Sequence, residues 1–213
     1  MIKHHLTDDL ILSYSAGNLP EALNLVVAAH VSMCDACRAS VEAYDTLGGA
    51  LLEDQDATAP LGTDALEHVL SMLDSDEEGG ARAKPACDAL PVPLSSYIGG
   101  SLADVKWRSL GMGVKQAILP TSSEATARLL YIPAGTAVPD HGHNGIEVTL
   151  VLSGAFQDEG EMFGVGDVEV VYEDLNHQPI ADISGACICL AVTDAPLRFR
   201  GFLPRLVQPL LNI

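Results

Sequence analysis

The pattern of apolar and polar positions changes character once along this chain. Over residues 1–76 apolar side chains recur every three to four residues, the period of a helix with one buried face. Thr7 followed by Asp8 and Asp9 predicts an N-cap with acids in the first turn, Leu10, Ile11 and Tyr14 supply the face, and Gly17 ends the element. Pro20 suits the first turn of a second helix, whose face runs through Leu23, Val26, Val27 and His30. A third helix through Val41, Tyr44 and Leu47 is expected to stop at Gly48 and Gly49. Thr63 reads as the N-cap of a fourth, with Leu66, Val69, Leu70 and Leu73 in an i, i+3, i+4, i+7 stripe. That stripe fits either packing against the other helices or a helix laid in a partner's groove.

Residues 77–93 are rich in charge, glycine and proline and read as a linker, which argues against rigid coupling between the parts it joins. Cys87 lies within it and is assigned no role. From residue 94 to 213 the period shortens. Runs at 116–119, 127–132, 148–152, 168–171 and 187–192 are short and apolar or alternating, and Gly, Pro, Asn and Asp punctuate them. Many short strands over this length predict an antiparallel sandwich or barrel, so the fold class is α + β, a small helical bundle followed by an all-β unit.

Composition narrows the function classes. The 213 residues carry a formal net charge of −18, which disfavours direct nucleic-acid binding because phosphate contacts need a basic face. A basic protein partner fits better, as does plain solubility. No apolar run approaches the ~20 residues that cross a bilayer. The stretch from Met1 to Leu10 carries two acids and lacks the apolar core of a signal peptide, so the expected location is the cytoplasm, with no membrane association. Five cysteines (34, 37, 87, 187 and 189) make a poor disulfide framework and point to ligand or redox roles.

Two sets of residues carry metal chemistry. His30, Cys34 and Cys37 form H-x3-C-x2-C, one imidazole and two thiolates of the softness zinc prefers. On one helix the positions i, i+4 and i+7 share a face. If the helix breaks after His30, a tight turn brings the same groups together. A fourth ligand, from His4 or His5, would close the site and make it structural. In the second set, His141 and His143 stand at i and i+2, the same face of a strand, and Glu147 keeps that parity if Gly145 does not bend the strand. His177 arrives from a later strand. This donor set could bind zinc, manganese, iron, nickel or copper, and ligand softness does not decide among them; zinc is the first expectation. Cys187 and Cys189 also share a strand face, fitting either a redox pair near the metal or two small apolar residues packed in a barrel. His68 reads as a surface or interface residue.

The spacing Gly135-x5-His141-x-His143-x3-Glu147-x6-Gly154, followed by Gly164-Val165-Gly166-Asp167 and His177, resembles the two cupin motifs. The second motif departs from the pattern: Gly164 stands where proline is usual, and no asparagine follows His177 at the expected spacing. The resemblance implies a jelly-roll barrel holding a metal on His141, His143, Glu147 and His177. Residues 1–76 resemble the zinc-binding anti-sigma domain, and His5, just before Leu6-Thr7-Asp8, stands where that family carries its distal histidine ligand. The two together resemble the ChrR family. That resemblance implies a structural Zn2+ on His5, His30, Cys34 and Cys37. It also implies a 1:1 complex with an extracytoplasmic-function, sigma-E-like group IV sigma factor. Release under oxidative stress such as singlet oxygen would depend on the cupin half. It implies a regulator rather than an enzyme. The alternative is a metal-dependent, dioxygenase-like cupin enzyme with a helical zinc-binding appendage.

Overall fold

The computed structural model describes residues 1–54, 62–73, 90–172 and 176–199. Five helices fall in this part of the chain: α1 Asp8–Ser15, α2 Glu21–Val31, α3 Asp35–Glu53, α4 Ala65–Leu73 and α5 Val92–Ile98. Thr7 caps α1 as its spacing predicts, its Oγ1 accepting from the Leu10 amide, and Gly17 follows the helix with a φ of 69°.

Three helix boundaries differ from the sequence expectation. Pro20 is the N-cap of α2, with an extended ψ of 151°, and not a residue of its first turn. Helix α3 runs through Gly48 and Gly49 and ends at Glu53. Both glycines lie on an open side where nothing approaches a Cβ, so they weaken the helix without breaking it. Helix α4 begins after Thr63, with Ala65 N–H on the Gly62 carbonyl and His68 N–H on the Asp64 carbonyl.

The β half pairs antiparallel throughout its described strands. Strands β1 Arg108–Gly111, β2 Val114–Ile118, β3 Thr126–Ile132, β5 Glu147–Ser153, β8 Val168–Val171 and β11 Cys187–Thr193 form a six-stranded sheet in the order β1-β2-β3-β11-β5-β8. Two smaller sheets close over one face. The first is β10 Ile180–Ala181, β6 Ala155–Asp158 and β7 Glu161–Gly164; the second is β12 Arg198–Phe199, β4 His141–Gly142 and β9 Asn176–His177. The five apolar runs are all strands of the large sheet. The short strands β4, β6, β7, β9, β10 and β12 carry too few apolar residues to announce themselves.

Alternation divides the large sheet into two faces. Leu129, Leu150 and Leu190 are paired across β3, β11 and β5 and point one way. They join Leu6, Leu10, Ile11, Leu23, Val26 and Val27 in a single core. Val151, Cys187 and Cys189 point into the barrel with Phe156 and Phe163. Helix α2 is therefore the layer between the helical half and the sheet, touching β3, β5 and β11. This differs from the flexible connection its composition suggests: whatever the covalent linker does, the two halves share apolar side chains. Most of the 77–93 segment, Cys87 included, lies outside the described residues. Its last residues enter α5, a helix the sequence reading missed, which buries Leu94 against the shared core.

Candidate metal centres

The first cluster is built at a helix–turn–helix corner. Helix α2 ends at Val31, the Met33 and Cys34 amides both bond back to the His30 carbonyl, and Cys34 becomes the N-cap of α3. The three residues thus do not ride one helix. The turn folds Cys34 and Cys37 back beside His30, and the segment leading into α1 delivers His5. His30 Nε2 lies 3.2 Å from Cys37 Sγ, and His5 Nδ1 lies 3.3 Å from Cys34 Sγ and 3.7 Å from Cys37 Sγ. A tetrahedral ion with Zn–S near 2.3 Å and Zn–N near 2.0 Å separates neighbouring S and N ligands by about 3.5 Å. The donor set and its spacing therefore fit zinc. All four donor atoms fall within 4.8 Å of one another.

The surroundings complete the geometry. His30 is fully buried, and its Nδ1 donates to the Gly166 carbonyl at 2.9 Å, which leaves the Nε2 lone pair facing the cluster. Burial lowers the His30 pKa to about 4, which keeps the imidazole in its neutral, ligating form. Burial also pushes the Cys37 thiol up to about 11. A cation in the cluster would reverse that bias toward thiolate. His4, the other candidate for fourth ligand, turns away: its Nε2 is 3.0 Å from Glu161 and its Nδ1 3.6 Å from Asp167.

The second cluster sits inside the barrel. His141 on β4 pairs with His177 on β9, and His143 follows in the loop toward β5. Nitrogens of these three buried imidazoles lie within 4.8 Å of one another. His143 Nε2 is 2.9 Å from His177 Nε2. That is an N–H···N hydrogen-bond length, and also the cis edge of an octahedron with bonds near 2.1 Å. Two of the rings are oriented from behind: His141 Nδ1 donates to the Pro139 carbonyl at 2.8 Å and His177 Nδ1 to Asp158 Oδ2 at 2.5 Å. Glu147 stands one step outside this trio, its Oε2 3.5 Å from His143 Nδ1 and 4.0 Å from His141 Nε2, while its Oε1 accepts from the Thr149 hydroxyl. The even parity that suggested one regular strand from His141 to Glu147 does not apply, because β4 ends at Gly142 and β5 starts at Glu147.

Sequence reasoning missed Asp158 and Glu169. Both approach His177 Nδ1, at 2.5 and 3.9 Å, and the three form an overlapping acidic cluster. Burial and the Asp158 carboxylate raise the Glu169 pKa to about 9, so Glu169 holds a proton at neutral pH. Its inward position on β8, alternating with apolar neighbours, was the only signal available. Burial lowers the His143 pKa to about 4 and the His141 pKa as well, against the pull of Glu147. Cys187 and Cys189 are buried in the inner apolar core; their mutual hydrogen bond and burial hold the Cys189 thiol well above its ordinary range. His68 is exposed on α4, apart from both clusters.

The helical half also shows an apolar surface. Leu47, Leu51 and Leu52 of α3 and Leu66, Val69, Leu70 and Met72 of α4 are each at least half exposed. Four such residues on a nine-residue helix exceed the scattered apolar residues of an ordinary surface. Among the described residues no helix is long and apolar enough to cross a membrane.

Comparison with known proteins agrees with this construction. Residues 96–195 match the family described as the ChrR cupin-like domain. The chain is 54% identical, over its whole length and 99% of the relative, to the anti-sigma-E factor ChrR of Cereibacter sphaeroides. The structure of the anti-sigma ChrR from Rhodobacter sphaeroides, solved in complex with SigE, matches 91% of this chain and 99% of its own length, at 50% identity and a TM-score of 0.79. With a likeness that spans both halves, the chain belongs to the ChrR family of anti-sigma factors.

Proposed function

We propose that this protein sequesters an extracytoplasmic-function sigma factor in a 1:1 complex in the cytoplasm and releases it under oxidative stress such as singlet oxygen. The observation that carries the reading is the likeness, through 91% of the chain, to an anti-sigma factor captured with its sigma factor. The exposed apolar faces of α3 and α4 and the net charge of −18 support it, since a sigma factor offers apolar contacts within a basic, DNA-binding surface.

In this reading His5, His30, Cys34 and Cys37 hold a structural zinc ion that ties α1, α2 and α3 together. The ion supplies cross-linking rather than catalysis, because four protein donors leave it no open position. His141, His143, His177 and Glu147 hold a second divalent metal, zinc first and manganese, iron or nickel otherwise, and form the element that receives the signal. Asp158 orients His177, and Thr149 orients Glu147. The alternative of a cupin enzyme with a helical appendage gives no role to α3 and α4, and the full-length relative is a regulator.

The test is direct. Mixing the chain with the sigma factor it regulates should give a 1:1 complex by light scattering that dissociates on chelation. The same complex, illuminated with a photosensitiser, should dissociate, while a His143→Gln complex should persist. A wild-type complex indifferent to both chelator and light sinks the reading.

A further inference from the structure

The turn joining β7 to β8, residues 164–168, belongs by sequence to the barrel, yet it touches the other metal cluster from two sides. The Gly166 carbonyl accepts from Nδ1 of His30 at 2.9 Å. Asp167 Oδ1 accepts from the Lys3 and His4 amides, at 2.6 and 3.0 Å, and the Val168 amide donates to the His4 carbonyl at 3.2 Å. The residue before His5 is thereby held on both its N–H and its C=O. Gly166 has a φ of 88°, and a Cβ there would press within 2.7 Å of Ile2. The two zinc-ligand histidines are thus fixed, one through its ring and one through its backbone, by consecutive residues of a single turn.

That turn is equally well anchored on its other side. Gly166 N–H bonds the Val151 carbonyl and Val151 N–H bonds the Asp167 carbonyl, both to β5, the strand that opens with Glu147. Asp167 Oδ2 accepts from the Gly164 amide at 2.8 Å. Two residues beyond Asp167, on β8, Glu169 reaches the Asp158–His177 pair. A short path therefore runs from the three-histidine cluster across the 3.9 Å Glu169 contact and along β8 and β5 to the turn, and by hydrogen bonds from the turn to His30 and to the His4 backbone that precedes His5.

We propose that the 164–168 turn is the outer support of the zinc cluster, with Asp167 as its positioning residue, and that the metal state of the three-histidine cluster reaches the zinc ligands through it. The inference rests on the reading of both clusters as metal sites. It adds the physical connection between them. Two discrete arrangements of such a turn would suffice, since each hydrogen bond is either made or lost.

Cobalt(II) separates the two sites, because thiolate-to-cobalt charge-transfer absorption arises only at the cluster that contains Cys34 and Cys37. The measurement is the rate at which a chelator bleaches that band in the full-length protein and in Asp167→Ala, His143→Gln and the double variant. Loss of an outer-shell partner costs about tenfold in metal retention, so Asp167→Ala should bleach about tenfold faster, and Asp167→Asn, which keeps an acceptor oxygen, should restore most of the difference. His143→Gln, remote from the thiolates, should also accelerate bleaching. The double variant should be no faster than the faster single, as for two changes on one path. An unchanged rate in Asp167→Ala overturns the supporting role. An unchanged rate in His143→Gln, or effects that multiply in the double variant, overturns the connection. Absence of the charge-transfer band in the wild-type protein would instead overturn the zinc-site reading on which the proposal stands. If Asp167→Ala fails to fold, Lys3→Pro removes one of the two amide donors and should bleach faster in the same way.

Discussion

The two metal clusters are assembled in opposite ways. In the helical half three donors, His30, Cys34 and Cys37, come from eight consecutive residues around one corner, and only His5 is imported. In the barrel the three histidines come from β4, the loop after it, and β9, Glu147 comes from β5, and the groups around them come from the loop before β4 and from β5, β6 and β8. The first cluster brings four protein donors together at the junction of α1, α2 and α3. The second is enclosed by a barrel with its own apolar interior, built on Phe156, Phe163 and Val151. On the proposed roles, the contrast is between a cross-link drawn almost wholly from one corner of the chain and a receptor assembled from strands far apart in sequence.

The largest expected effect separates these roles. Cys34→Ser should abolish high-affinity metal binding at the first cluster, unfold α1 to α3 and reduce sigma-factor affinity by more than about a hundredfold, since structural zinc contributes on the order of 10 kcal/mol to small domains. Titration calorimetry with the sigma factor checks it, and normal affinity in Cys34→Ser would falsify the assignment. His143→Gln should remove the second metal, read by elemental analysis, while leaving sigma affinity within about twofold before any stress. Equal damage from both substitutions would erase the distinction drawn between the clusters.

A smaller effect is expected at the surface. Leu66→Asp and Leu51→Asp should weaken sigma binding about tenfold or more, as central apolar contacts of an interface do. Their exposure, 70% and 62%, predicts little change in the protein's own melting temperature. A drop in stability without a change in affinity would mean that these residues pack within the chain instead.

The smallest effect is in pH dependence of the metal-free protein, where His30 of the first cluster and Glu169 beside the second pull in opposite directions. The His30 pKa is lowered from 6.5 to about 4, so the unfolded chain takes up this proton first. The stability due to His30 is complete above pH 6.5 and is lost as pH falls toward 4. The Glu169 pKa is raised from 4.5 to about 9, so its contribution is complete below pH 4.5 and is lost as pH rises toward 9. Relative to wild type, Glu169→Gln should therefore gain stability between pH 5.5 and 8, and His30→Gln should gain between pH 6.5 and 5. Urea midpoints in the presence of a chelator read both slopes, and slopes of one sign would remove the contrast.

Much of this architecture was legible because it depends on period and local chemistry. The helical stripe from Leu23 to His30, the N-cap at Thr7 and the five long strands follow from spacing that any buried face must have. The full length of α3 is not legible because Gly48 and Gly49 look like a stop, while their cost to a helix is a modest backbone entropy that the rest of α3 offsets. The two-residue strands β4 and β9 have no period to read. Their existence depends on a partner far away in sequence. Asp158 and Glu169 were hidden for a related reason: Asp158 ends a strand with too few apolar residues to read, and Glu169, on the legible strand β8, looks like a solvated acid until the barrel closes around it.

What the sequence by itself determined are the features set by neighbours in the chain: the H-x3-C-x2-C corner, the change from helical to strand period, and the His141, His143, Glu147 and His177 spacing that resembles a cupin. The spacing left His4 and His5 open and the family resemblance pointed to His5; the tertiary structure brings His5 and not His4 into the first cluster, because Asp167 accepts from the Lys3 and His4 amides, the Val168 amide donates to the His4 carbonyl, and the His4 ring lies against Glu161. It also decided that a glycine carbonyl 136 residues away orients His30. Such choices belong to groups that meet only after the chain has folded, where a few long-range hydrogen bonds fix which of two adjacent histidines faces the cluster.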